Sequence, residues 1–104
     1  MTRQIAKAEY ILIKSRNSAR TKTASFAFFN SLLHQVQEII PGLVHGESYT
    51  LETLCGEEYW SSLVRGEVIL AGECMVHIVL HTDLLPEIEL KRAPRTRSLE
   101  WGLK

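Results

Sequence analysis

The last seventeen residues of the chain alternate between apolar and polar side chains in two successive runs. In the first run Ile88 and Leu90 alternate with charged residues, and in the second run Leu99, Trp101 and Leu103 alternate with polar residues or glycine. A period of two is typical of a β-strand with one buried face, because successive side chains point to opposite sides. Two such runs in sequence predict a C-terminal β-hairpin.

The segment that joins the two runs is strongly basic. Residues 91–97, KRAPRTR, carry four positive charges and no negative charge. In the predicted hairpin these charges lie at the tip, where they can reach an anionic partner. A solvated turn whose charges prevent aggregation at a sheet edge is the alternative interpretation.

A first helix is predicted before the hairpin. Apolar residues recur every three or four positions from Phe29 to Ile40, which is typical of a helix with one buried stripe. Thr23 or Ser25 is expected to cap its start. Pro41 and Gly42 are expected to end it, because proline cannot continue the hydrogen-bond ladder.

Two further helices are predicted in the middle of the chain. A short extended piece over residues 46–50 leads to a second helix, which Thr50 is expected to cap and Gly56 to break. A turn at residues 64–66 precedes a third helix over residues 67–82. Its expected buried residues are Val68, Gly72, Met75, Val76 and Val79, and its expected surface residues are Leu70, Glu73, Cys74, His77 and His81.

The N-terminal quarter has weaker patterns. Residues 4–14 contain strand-like types around Tyr10, although helical spacing also fits, and a strand is favoured. Residues 15–25 lack apolar periodicity and are rich in Ser, Thr and basic residues, which predicts a mobile connector or arm. We therefore expect a basic N-terminal strand or arm over residues 1–23 and one domain over residues 24–104.

Charge is segregated along the chain although its formal net charge is zero. Residues 1–22 hold six basic residues and one acidic residue, and residues 91–104 hold five and one. Residues 23–90 hold ten acidic residues and a single basic one, Arg65. Two interpretations remain open: the ends neutralise the middle, or they bind a polyanion.

Several classes of protein do not fit this sequence. No apolar run approaches the ~18 residues that a bilayer requires, and the apolar run at residues 10–13 is too short for a signal peptide. A cytoplasmic location and no membrane partner are therefore expected. Cys55 and Cys74 are too few for a disulfide framework and are expected to be thiols.

The predicted order is helix, short strand, helix, turn, helix, strand, basic loop, strand. This order resembles a winged helix-turn-helix domain, and the resemblance covers residues 24–104, about four-fifths of the chain. The segment YTLETLCGEEYWSSLVRGE also resembles small winged-helix proteins of bacterial mobile elements. The resemblance implies an α+β fold with a three-helix core and a C-terminal wing, with a possible extra N-terminal strand.

A winged-helix resemblance implies DNA binding, and transcription regulation is the usual role of such a module. The wing would contact the DNA backbone or minor groove, the arm would add phosphate contacts, and a homodimer would supply paired half-sites. The expected nucleic-acid-binding residues are Lys91, Arg92, Arg95 and Arg97 in the wing, Arg16, Arg20 and Lys22 in the arm, and Arg65 at the helix junction.

The third helix argues against strong major-groove readout. It offers Glu67 and Glu73, which repel phosphates, and no Arg, Asn or Gln in base-reading positions. Weak sequence preference is therefore expected, and a protein-interaction module with an acidic surface, even a DNA mimic, is the main alternative. A less favoured interpretation is a metal-responsive regulator that uses Cys74, His77 and His81.

Catalytic signatures are missing from the sequence. The six glycines are dispersed, so no phosphate-binding loop is formed, and no serine lies in a nucleophile-elbow context. We therefore expect neither an enzymatic activity nor a cofactor.

Overall fold

The computed structural model describes residues 10–93 and 99–104. Within these ranges helices combine with two antiparallel hairpins, which confirms the α+β class. The elements in chain order are β1 (Tyr10–Lys14), β2 (Thr21–Ser25), α1 (Phe26–Ile39), a 3-10 turn (Ile40–Gly42), α2 (Leu51–Cys55), α3 (Glu57–Ser61), α4 (Arg65–His81), β3 (Ile88–Arg92) and β4 (Glu100–Leu103).

An N-terminal hairpin replaces the expected mobile connector. β1 and β2 pair in antiparallel register from Tyr10 opposite Ser25 to Lys14 opposite Thr21. The prediction of a connector over residues 15–25 was wrong, because residues 21–25 form β2 and only the residues before them form a turn. The polar sequence gave no sign of a strand, because Ala24 is the one side chain of β2 that reaches the core.

The turn of this hairpin is closed by its own polar groups. The Ser15 amide donates to the Arg20 carbonyl at 2.9 Å, which continues the ladder beyond β1. The Asn17 side-chain oxygen accepts from the Ala19 amide at 2.9 Å, as short polar side chains often do in turns. Ser18 takes the left-handed conformation, with φ at 63°. The turn therefore has a defined shape.

α1 begins and ends where the sequence predicts. The Ser25 hydroxyl accepts from the Phe28 amide at 3.3 Å and caps the first turn. The helix ends at Ile39, and Pro41 lies in the short 3-10 turn that follows. The buried stripe consists of Phe29, Leu32, Leu33 and Val36.

Two short helices follow, and both predicted signals are confirmed. The Thr50 hydroxyl accepts from the Thr53 amide at 3.4 Å at the start of α2. Gly56 separates α2 from α3. Its φ of 91° is a left-handed conformation that a side chain would strain, so glycine is favoured at this position. Gln35 of α1 donates its side-chain amide to the Cys55 carbonyl at 2.8 Å, which satisfies the end of α2.

α4 lies at the centre of the fold and is buried around much of its circumference. Its buried residues are Ala71, Cys74, Met75, Val76, His77 and Ile78. Cys74 and His77 were expected on the surface, and Val68, Gly72 and Val79 were expected in the core but are only partly buried. The prediction was wrong because it omitted the N-terminal hairpin, which packs on the face of α4 that had been left to solvent.

The C-terminal hairpin is confirmed. β3 and β4 pair in antiparallel register, with Ile88 opposite Leu103 and Leu90 opposite Trp101. Tyr49 adds an isolated bridge to this sheet, since its amide and carbonyl exchange hydrogen bonds of 2.7 and 2.8 Å with Trp101. Of the short extended piece predicted at residues 46–50, only this single bridge residue is present, and residues 45–46 form a turn.

Most of the predicted tip lies outside the described residues. The residues left undescribed there are positions 94–98, which include Arg95 and Arg97, so the shape of the tip stays a prediction. None of the helices within the described ranges has the length and apolar character that a membrane crossing demands.

Candidate functional site

An open cleft of about 1090 Å³ is lined by the turn end of the N-terminal hairpin and by the adjoining face of α4. One wall is the hairpin turn with the adjoining ends of β1 and β2, and the floor is the middle of α4, from Ile69 to Val76. Leu99, the last residue of the segment between β3 and β4, also lines it. The cleft therefore brings the basic arm, the third predicted helix and one end of the predicted wing to one place.

Positive charge is concentrated on the hairpin wall. Lys14, Arg16, Arg20 and Lys22 line the cleft, and all four residues are exposed. Ser15 and Arg20 are hydrogen-bonded to each other at the base of the turn. The four cations therefore lie close together, on the two sides of one narrow turn. Cations clustered around an open concavity attract a polyanion.

The cleft floor contains one acidic residue. Glu73 on α4 accepts from the Lys22 ammonium at 2.8 Å, and both side chains are about half exposed. Such a surface pair adds at most about 1 kcal/mol to stability, but it holds one hairpin cation close to α4.

Glu67 is also engaged, at the start of α4. Its side-chain oxygen accepts from the Val64 amide at 3.0 Å and caps the helix. Glu73 is therefore paired with a cation, whereas Glu67 keeps its charge because its donor is a neutral amide, so the objection drawn from the sequence weakens only at Glu73.

An apolar residue and a glycine complete the floor. Ile69 is 58% exposed although it is a large apolar residue. Gly72 lies one turn on, and a Cβ placed there would meet nothing within 4 Å. The space above Gly72 is thus open to a ligand, and a larger side chain at this position would fill it.

Two histidines of α4 fix the hairpin in place. The Lys14 amide donates to Nδ1 of His77 at 3.0 Å, so this nitrogen carries no proton and the ring proton lies on Nε2. Nε2 of His81 donates to the Ser15 carbonyl at 2.7 Å. Phe29 packs against the His77 ring at a centroid distance of 6.2 Å. Burial, and then the charges of His81 and Lys14, lower the pKa of His77 below 6.5.

The predicted binding residues fall into separate groups. Arg16, Arg20 and Lys22 meet in the cleft, whereas Arg65 is exposed at the start of α4 and is not part of the cleft lining. Lys91 and Arg92 lie at the end of β3, where the Arg92 guanidinium is 4.0 Å from the Glu100 carboxylate. Arg95 and Arg97 lie outside the described residues.

Sequence reasoning missed Lys14 and the two histidine contacts. Lys14 was hidden by its place at the end of an apolar run, although it directly precedes the polar turn. The histidine contacts join residues more than sixty positions apart, so no local pattern reports them.

The metal hypothesis is not supported by the geometry. No group of three His, Cys, Asp or Glu side chains suited to a metal occurs among residues 10–93 and 99–104. Cys74 is fully buried, and burial raises the pKa of its thiol to about 12, which opposes the thiolate that a metal needs. His77 and His81 each spend one ring nitrogen on the hairpin backbone.

No protein-family model, curated protein or solved structure matches this chain. The winged-helix resemblance consequently rests on the order of elements, and it stays a prediction.

Proposed function

We propose that this protein binds double-stranded DNA, with one phosphate backbone lying against the cationic wall of the cleft. The observation that carries the proposal is the convergence of Lys14, Arg16, Arg20 and Lys22 on one open concavity whose floor is α4. Duplex DNA presents about one negative charge per 1.7 Å of its axis, so several of these cations can meet phosphates at once.

The cleft lining favours phosphate contacts over base stacking. Proteins that hold single strands stack bases on aromatic side chains. Among the described residues, the cleft lining includes no Phe, Tyr or Trp. We therefore propose a duplex held by its backbone, with sequence preference no more than weak.

The finer proposal is a winged-helix transcription regulator that works as a homodimer. Three features support the winged-helix part of this proposal: α4 follows a short helical pair, Tyr49 bridges to the C-terminal hairpin, and the basic residues 91–97 fall at the end of β3 and before β4 in the sequence. In the proposed arrangement α4 corresponds to the recognition helix but offers DNA only the face that lines the cleft, and the hairpin turn flanks that face.

Salt-dependent titration tests the DNA proposal. Fluorescence anisotropy with a labelled DNA duplex, from about 50 to 200 mM salt, is expected to show an affinity that falls steeply as salt rises. Arg20→Ala should reduce the slope of log K against log salt by about 0.9 for each phosphate that the variant no longer neutralises. Lys104→Ala is the matched control, because Lys104 is exposed and lies outside the cleft lining.

Specific outcomes would overturn the DNA proposal. Absence of binding by the intact protein at about 50 mM salt would do so, since electrostatic binding is strongest there. Equal losses of affinity in Arg20→Ala and Lys104→Ala would remove the cleft from the proposal. Tighter binding to a single strand of the same sequence would argue against the duplex.

Exposed apolar residues on β1 favour the protein-interaction module as the second candidate. Tyr10 is 65% exposed and Leu12 is 62% exposed, and alternation places both on the outer face of the hairpin. Large apolar side chains in such a position are typical of protein contacts. Replacing both by serine should change the oligomeric state or partner binding, measured by light scattering, if this candidate is right.

A further inference from the structure

We propose that His77 and His81 are positioning residues that dock the N-terminal hairpin on α4 and make this docking sensitive to protons. The inference rests on the proposed function for its biological meaning, because the docked hairpin carries the cationic wall of the DNA cleft. The docking itself can be measured without any ligand.

The two histidine contacts hold the backbone of two consecutive residues, Lys14 and Ser15. His77 accepts from the Lys14 amide at 3.0 Å, and His81 donates to the Ser15 carbonyl at 2.7 Å. These groups directly precede Arg16 at the start of the turn. The two bonds therefore set where the turn lies over α4, and with it the positions of Arg16 and Arg20.

The two bonds respond differently to a proton. A protonated imidazole has two N–H donors and no acceptor, so His77 cannot take up a proton and keep its bond from the Lys14 amide. His81 already uses a protonated nitrogen, and its bond to Ser15 survives a second proton on the ring. A proton on the ring therefore breaks the His77 contact, whereas the His81 contact needs only the N–H that it already has.

The surroundings of His77 support this assignment. β1 contributes Lys14, α1 contributes the uncharged ring of Phe29, and α4 contributes His81 at a ring-centroid distance of 5.9 Å. The one carboxylate nearby on α4, Glu73, is paired with Lys22. The titratable residues of α1, His34 and Glu38, are exposed.

The sign of the pH effect follows from the lowered pKa of His77. An undocked histidine titrates near its ordinary pKa of 6.5, and the docked one titrates lower. Docking is therefore complete above about pH 6.5 and weakens as the pH falls through the window below it. At about pH 5.5 the opening equilibrium of the hairpin can rise by up to about tenfold.

Hydrogen exchange of the Lys14 amide tests the inference. Its protection factor, measured by NMR, is expected to fall by up to about tenfold between about pH 7.5 and about pH 5.5. In His77→Asn the side-chain oxygen replaces Nδ1 as an acceptor that does not titrate, so the protection factor should stay constant. A constant value in the natural protein, or the same fall in His77→Asn, would overturn the inference.

DNA affinity supplies the second measurement. His77→Leu leaves the Lys14 amide without an acceptor, so DNA should bind more weakly and with a shallower salt slope, and His77→Asn should restore both. If His77→Leu does not fold, His81→Gln and His81→Ala make the same comparison at Ser15, because only glutamine can still donate. Failure of Asn or Gln to rescue would count against positioning.

The two proposals fail in different ways. If the natural protein does not bind DNA, the proposed function falls and the exchange result stands alone. If the protein binds DNA but the Lys14 protection factor does not change with pH, the positioning role of His77 is refuted and the DNA-binding proposal is unaffected.

Discussion

Replacing Gly102 with alanine tests how closely residues 47–49, which end in the bridge residue Tyr49, pack on the C-terminal hairpin. A Cβ at Gly102 would lie 2.8 Å from the Glu47 carbonyl oxygen and 2.5 Å from Cδ of Lys91. The lysine side chain is flexible and can move aside, but the Glu47 carbonyl belongs to the backbone. Relief to an ordinary distance of 3.4 Å requires a backbone shift of about 0.6 Å.

That shift acts on the two hydrogen bonds between Tyr49 and Trp101, because Tyr49 is only two residues beyond Glu47. Overpacking of this kind costs about 1–3 kcal/mol. Each kcal/mol lowers the Tm of a domain of this size by about 4–8 °C. Thermal unfolding followed by circular dichroism is therefore expected to show a Tm reduced by about 4–24 °C.

Gly72→Ala is the matched control for Gly102→Ala. It lies within α4, and its Cβ would meet nothing within 4 Å, so the fold should gain about 0.5–1 kcal/mol from reduced backbone entropy. The reasoning would be refuted if Gly102→Ala were as stable as the natural protein, or if both substitutions changed the Tm in the same direction.

Three further outcomes are expected. Gln35→Ala should lower the free energy of unfolding by about 1–2 kcal/mol in urea denaturation, because the Cys55 carbonyl loses its donor; an unchanged midpoint would contradict this. Burial raises the pKa values of Cys55 and Cys74 to about 12, so a thiol reagent at about pH 8 should label neither residue until urea unfolds the protein. Ser25→Ala should cost about 1 kcal/mol through loss of the α1 cap, and Ser25→Asp should retain most of that stability.

Local signals in the sequence were sufficient for much of the fold. Ser25, Thr50 and Gly56 act within one helical turn of their own positions, so their effects on helix ends could be predicted without tertiary information. The alternation of Ile88 and Leu90 likewise identified β3, because a strand with one buried face needs only a repeat of two.

The burial of α4 could not be predicted in the same way. A helix covered from several sides has no single apolar stripe, so periodicity identifies only part of its core. His77 is buried where the hairpin of β1 and β2 packs on α4, a contact between distant parts of the chain. The cleft follows from the same packing. Three of its cations, Arg16, Arg20 and Lys22, were named from the sequence, but their meeting with Lys14, Ile69 and Gly72 was not predicted.

The enclosure of α4 has a consequence for how such a protein can diverge. Residues such as Met75 and Ile78 have 0% exposure, and any change of size there disturbs several neighbours at once. The hairpin turn at residues 15–20 carries no such constraint, because apart from the partly buried Ser15 its residues are exposed. New binding preferences can accordingly arise by altering the charge of exposed side chains in this turn, such as Arg16 and Arg20, while the central scaffold stays unchanged.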